Sequence, residues 1–232
     1  MIQRIIKRGW VSLNESILNI ETEPHDAPTS PKKIRWWQGE HSSLAKHHDN
    51  LVYGTPDYWN LRKVVRRLKL AETDVFFDLG CGMGRVLCIV ARRRVHKCVG
   101  IELFDSLCLV AKRNAKHLRR RKAPIEIICS DAATANLSGG TVYFMFNPFG
   151  QDTLTEVLSQ IHASLQEEPR TIRIVYYNAQ YQTVLASAEW LNCVEEWTTY
   201  GGHRVTLWEN VPGTVWVSSS IANSSRDRYI RS

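Results

Sequence analysis

No stretch of this 232-residue chain is apolar over anything near the roughly 20 residues that a helix needs to cross a bilayer. Its start, Met1-Ile2-Gln3-Arg4-Ile5-Ile6-Lys7-Arg8-Gly9, lacks the long apolar core and small-residue cleavage site of a secretory leader. The six cysteines (81, 88, 98, 108, 129 and 193) include no Cys-x-x-Cys pair. Several fall in expected strands or helix faces, where a free thiol packs as a small hydrophobe. They are read as reduced, which makes the expected location cytoplasmic. His41, His47, His48 and Asp49 have no firm zinc spacing and no cysteine beside them, so no metal is expected. Internal repeats are also absent.

What is present fits one globular domain with extensions, since 44% of the residues are hydrophobic. Residues 1–50 read as an N-terminal helical extension followed by a linker containing Pro24, Pro28 and Pro31; residues 51–217 as the main domain; residues 218–232 as a polar tail. In the extension, Ile2, Ile5, Ile6, Leu13, Ile17 and Leu18 partly follow helical spacing, with Arg4, Lys7 and Arg8 opposite. Such a helix packs on its own domain or on a second subunit, giving a homodimer, or lies on a membrane surface. Charge is uneven: residues 61–122 hold 17 Lys and Arg against 5 Asp and Glu, so the rest of the chain is net acidic. The clusters Arg92–Arg94 and Arg119–Lys122 sit at expected helix ends, where the helix dipole favours cations. A basic face of this kind also suits nucleic acid, an anionic membrane or an acidic protein.

The most informative run is Phe76-Phe77-Asp78-Leu79-Gly80-Cys81-Gly82-Met83-Gly84-Arg85. A short apolar strand ends at an acid, a glycine-rich turn follows, and a helix starts at Arg85. This arrangement brings backbone N–H groups and a helix N-terminus to a ligand. A dinucleotide fingerprint would need glycine where Arg85 stands. The Asp78 carboxylate would also repel a pyrophosphate and attract a cationic ligand. Three further strand ends carry polar residues in order: Glu102 after Cys98–Ile101, Asp131 after Ile125–Cys129, and Asn147-Pro148-Phe149-Gly150 after Thr141–Phe146. A helix is expected over 57–70 with Pro56 near its first turn, and others over 105–121, 151–166 and 180–188. Residues 171–177 read as a fifth strand, and 193–200 with 203–208 as a β-hairpin around Gly201-Gly202. Residues 211–217 would add an edge strand.

This series resembles the class I S-adenosylmethionine (SAM)-dependent methyltransferases, whose first motif has the form Asp-x-Gly-x-Gly-x-Gly. The resemblance covers about residues 50–210. It implies an α/β fold: a doubly wound, mainly parallel seven-stranded sheet of order 3-2-1-4-5-7-6, the last strand antiparallel, with helices on both faces. It implies SAM as cofactor. Asp78, Gly80, Cys81 and Gly82 would hold its methionine portion, with no thiol chemistry assigned to Cys81. Glu102, followed by Leu103, would take the ribose hydroxyls, and Asp131 the adenine amino group with the Ala132 N–H on the ring. Tyr53 and Thr55 would close over the methionine end, as in some protein-lysine methyltransferases outside the SET fold. Asn147-Pro148-Phe149 resembles the Asn/Asp-Pro-Pro-Tyr/Phe motif of nitrogen methyltransferases but has one proline rather than two. The Asn147 side-chain oxygen and the Pro148 carbonyl would orient an acceptor N–H, and Phe149 would stack on the substrate. The expectation is methyl transfer to a nitrogen on a protein side chain or small molecule. The alternatives are an RNA or DNA base methyltransferase using the basic face, a nicotinamide-dependent reductase, and a non-catalytic SAM-binding protein.

Overall fold

The computed structural model describes residues 2–23, 49 and 54–211. Its elements are α1 (Ile2–Leu18), α2 (Tyr58–Arg67), β1 (Val75–Leu79), α3 (Arg85–Val90), β2 (Lys97–Glu102), α4 (Asp105–His117), β3 (Ile125–Cys129), β4 (Val142–Met145), α5 (Gln151–Glu167), β5 (Arg173–Tyr177), α6 (Gln182–Ala186), β6 (Leu191–Thr198) and β7 (Arg204–Asn210). The seven strands form one sheet of order β3-β2-β1-β4-β5-β7-β6. β3, β2, β1, β4 and β5 pair in parallel, and β7 runs antiparallel to both β5 and β6. The expected topology is the one observed.

Burial along each strand follows from its place in the sheet. The central strands β1, β2 and β4 are covered on both faces, so they read as continuous apolar runs rather than alternating ones. Phe77 stacks on Tyr143 at 5.5 Å on one face, and Phe76 on Phe144 at 6.3 Å on the other. Two apolar clusters result. One lies between the sheet and α1–α4 and includes Leu61, Val64, Leu87 and Phe144; the other lies under α5 and α6 and includes Leu154, Val157, Ile161 and Tyr143. The edge strands β3 and β6 consist mostly of half-buried and exposed positions and carry charge. Glu126 pairs with Lys97, and Glu195 with Arg67, which blunts both edges against further pairing.

Two local departures from the sequence reading have tertiary causes. The helix expected over 105–121 stops at His117, because the Arg119 N–H leaves the helical ladder to donate to the Leu18 carbonyl at the end of α1 (2.9 Å). The cysteines are not all free: Cys108 on α4 and Cys129 at the end of β3 are joined as a disulfide, with Cα atoms 6.0 Å apart. The crossover of 21 residues places the first turn of α4 over the end of β3, a proximity that sequence separation hides. Cys81, Cys88 and Cys98 are buried free thiols. Residues 212–217 and 218–232 lie outside the described residues, as do Tyr53, His41, His47 and His48.

Candidate cofactor and acceptor site

The C-terminal ends of β1, β2, β3 and β4 bring together the acids and the Asn-Pro segment that the sequence singled out. After β1 the chain turns through Gly80, Gly82 and Gly84, at φ of 75°, 53° and 81°. These are left-handed conformations that favour glycine. The Gly80 and Cys81 N–H groups both donate to the Ile101 carbonyl at 2.9 Å, tying the turn to β2. Gly80 also has no room for a side chain, since a Cβ there would lie 2.3 Å from the Pro148 Cβ. The glycine turn and the Asn-Pro segment therefore touch. Gly80→Ala is expected to cost about 2–5 kcal/mol, combining left-handed strain with overpacking. Thermal unfolding checks this against Gly139→Ala, which has a similar φ (73°) but nothing within 4 Å of the added Cβ and should cost only the strain.

Asp78 is 2% exposed, and its Oδ2 has no hydrogen-bond partner among the described residues. Burial, and secondarily the charge of Glu102, pushes its carboxyl well above the ordinary range. An orphaned buried carboxylate oxygen is costly unless a cation or donor reaches it. The ammonium of a SAM methionine portion is such a group. Glu102 is also buried, and its carboxyl is raised by burial against the opposing pull of backbone N–H groups. Its Oε2 accepts from Gly82 N–H at 2.7 Å and its Oε1 from Phe104 N–H at 3.1 Å, so it braces the glycine turn. Two oxygens with two lone pairs each retain capacity for ribose hydroxyls. Asp131 is 5% exposed, with Oδ1 accepting from Ala133 N–H at 2.8 Å. Leu103 and Ala132 are buried apolar residues beside these acids, suited to flank a nucleoside. The residues present thus fit SAM. Thr55 is half-buried, with its hydroxyl on the Pro56 carbonyl at 3.2 Å.

At the end of β4, Asn147 is 6% exposed and held at φ 45°. Its Oδ1 accepts from the Tyr176 hydroxyl at 2.6 Å, and that hydroxyl accepts from Tyr181 N–H at 3.3 Å. Tyr176 therefore sets the direction of the Asn147 amide from the neighbouring strand. Phe149 is 3% exposed and belongs to the apolar cluster under α5, so in this structure it is a core residue. The half-exposed aromatic is Phe146. It meets Tyr177 edge-on at 4.9 Å and His203, on the β6–β7 turn, at 5.9 Å. The Tyr177 hydroxyl is buried without a hydrogen-bond partner among the described residues.

Two supports of the site are illegible in local sequence. Arg85, one residue past the glycine turn, is 2% exposed and reaches back to the N-terminal segment. It donates to the Thr22 hydroxyl (2.7 Å), Glu23 Oε1 (2.7 Å) and the Pro56 carbonyl (3.2 Å), with its guanidinium 4.5 Å from the Tyr58 ring. Asp49, considered above with the histidines, is an intramolecular cap. Its carboxylate accepts from the Asp152 and Thr153 N–H groups (3.1 Å each) and the Thr153 hydroxyl (2.6 Å), while its carbonyl accepts from Gly150 N–H (2.8 Å). It thereby satisfies the N-terminus of α5 immediately after the Asn-Pro segment. An Asp this far upstream carries no sequence signal for that role.

The chain is similar to known proteins in the same region. Residues 41–127 match the family model of the histone methylation protein DOT1. A protein-lysine N-methyltransferase of Saccharolobus islandicus (strain REY15A) is 31% identical over 111 residues, which are 46% of this chain; the chain spans 65% of that relative's length. Among solved structures, an RNA methyltransferase from Salinibacter ruber in complex with S-adenosylhomocysteine aligns with a TM-score of 0.53 at 22% identity, covering 71% of this chain and 97% of its own. The magnesium protoporphyrin IX methyltransferase of Synechocystis PCC 6803, with bound SAM, aligns with a TM-score of 0.52 at 13% identity, covering 68% and 86%. By its sheet order, its strand-end residues and these likenesses, the chain has the class I, Rossmann-like fold of the SAM-dependent methyltransferases.

Proposed function

We propose that the protein is a SAM-dependent methyltransferase whose acceptor is the side-chain nitrogen of a lysine in a protein. The observation that carries this reading is the Asn147–Pro148 segment: a buried amide aimed by Tyr176, followed by a proline that touches the glycine turn. SAM, when bound, supplies an activated methyl group for an in-line displacement. The protein's part is then positioning and electrostatics. Asp78 holds the cationic amino-acid end. The second lone pair of Asn147 Oδ1 and the Pro148 carbonyl accept the acceptor's N–H groups and turn its lone pair toward the methyl. Phe146, half-exposed, offers aromatic surface to an ammonium beside it. An amine that arrives neutral needs no strong base. The kinship with a protein-lysine N-methyltransferase and with the DOT1 model supports lysine over other nitrogens.

The test is transfer of labelled methyl from SAM to unfolded, lysine-rich protein, beside the same protein with its lysines blocked by acetylation and beside total RNA. Label on the unblocked protein alone supports the proposal. Equal label on the blocked protein, or protease-resistant label on RNA, overturns it.

A further inference from the structure

We propose that the outer face of α1 and α2 is a docking surface for an anionic lipid bilayer, holding the enzyme at a membrane without spanning it. Helix α1 is fastened to the domain by Val11, Asn14 and Leu18, all under 8% exposed. Beside that buried edge it presents Trp10, Leu13 and Ile17, which are 44%, 52% and 53% exposed. Their spacing of three and four residues makes one stripe. Three large apolar side chains in a row on one helix are costly to leave in water unless something covers them.

The adjoining surface says what covers them. Arg62 of α2 donates to Asn14 Oδ1 at 2.6 Å, so α2 lies alongside α1. The exposed row of α2 is Trp59, Lys63 and Arg66; Trp59 is 54% exposed, with the Lys63 ammonium 4.9 Å from its ring. Beside this row the chain just past α4 meets the C-terminal end of α3, since Lys122 N–H donates to the Ala91 carbonyl at 2.8 Å. That contact gathers Arg92, Arg93 and Arg120 close enough to one another and to Arg62 to lower the pKa of Arg92, burial being the larger cause. Arg62, Lys63, Arg66, Arg92, Arg93 and Arg120 form no ion pair among the described residues. The fold tolerates mutual repulsion at a place where an anionic partner would relieve it.

An apolar stripe with tryptophan, bordered by arginine and lysine, is the pattern of a helix lying in the headgroup region. A bilayer with acidic headgroups uses both the stripe and the cations. A second copy joined face to face would bury the stripe but set two cation clusters against each other. Nucleic acid would use the cations and leave Trp10, Leu13 and Ile17 in water. No helix among the described residues is long and apolar enough to cross a membrane, so attachment through this face would be peripheral.

Co-sedimentation of the whole protein with vesicles tests the proposal, using phosphatidylcholine alone and phosphatidylcholine with a third phosphatidylglycerol. Binding is expected only with phosphatidylglycerol, weakening as salt rises. Lys63→Gln with Arg66→Gln is expected to lower partitioning about thirtyfold, at roughly a fivefold loss for each surface cation. Leu13→Ser with Ile17→Ser is expected to lower it about tenfold or more. All four positions are exposed, so thermal unfolding and SAM affinity should not change. Four outcomes overturn the proposal: no binding to acidic vesicles, equal binding to both vesicle types, indifference to both variant pairs, or a dimer in solution that Leu13→Ser with Ile17→Ser dissolves.

Discussion

Asp78→Asn is expected to cost about thirtyfold or more in SAM affinity while leaving the ligand-free fold at least as stable. The substitution keeps shape and removes a charge from a place where charge is costly without a partner. Losing one member of a buried ionic contact typically costs about 2–5 kcal/mol of binding. Titration calorimetry with SAM, beside thermal unfolding without it, separates the two effects. A variant that binds SAM normally would remove Asp78 from the site.

The same carboxyl predicts a pH dependence of definite sign. Burial and the Glu102 charge raise Asp78 well above its ordinary value, so the folded, ligand-free protein keeps a proton that the unfolded chain has released. That contribution to stability is complete below the ordinary carboxylate range and is lost as pH rises toward the raised value. A cationic ligand inverts the preference, because it binds the ionised form. SAM affinity should therefore rise with pH over the same interval, with a proton released on binding. Heats measured in buffers of different ionisation enthalpy would show that proton, and Asp78→Asn should diminish it.

The second large effect is expected at the acceptor end. Asn147→Ala should lower turnover about a hundredfold or more, as removal of one preorganised polar group does elsewhere, with SAM affinity within about twofold of the parent. Tyr176→Phe should lower turnover by several-fold to about tenfold, since it removes one hydrogen bond worth ~1 kcal/mol and frees the amide to rotate. The tyrosine variant distinguishes orientation from mere presence of the amide: a rate unchanged in Tyr176→Phe would mean that the hydroxyl does not aim Asn147. Both rates are followed with labelled SAM on the lysine-rich acceptor.

The parts of this molecule that could be read in advance are those encoded by local pattern. The glycine turn and the acids at the ends of β1, β2 and β3 follow from runs of a few residues whose periodicity and punctuation are self-contained, and the sheet order follows from the family resemblance that those runs carry. What could not be read depends on distant partners. Phe149 looked like a substrate-facing aromatic because it follows Pro148, yet it is core because α5 folds over it, and Phe146 stands at the half-exposed position instead. Arg85 looked only like a missing glycine, and its partners Thr22, Glu23 and Pro56 are 29 to 63 residues upstream. The last expected turn of α4 yielded to a carbonyl of α1, and Cys108 found Cys129 across a crossover. Each of these is a long-range contact overriding a local preference.

The anchoring of the N-terminal segment by Arg85 also bears on how the chain is made. Residues 14–23 leave the ribosome before the groups that receive them, Arg62, Arg85, Asn114 and Arg119, which are synthesised 48 to 103 residues later. Until then the stretch ending in Thr22 and Glu23 has no guanidinium to close on, and the glycine turn has no brace from that side. This segment thus waits to dock until the chain just past α4 has been made. A nascent chain would complete its donor pocket only after α4 and β3 have emerged, which makes the middle of this domain's synthesis, rather than its beginning, the moment at which the pocket is assembled.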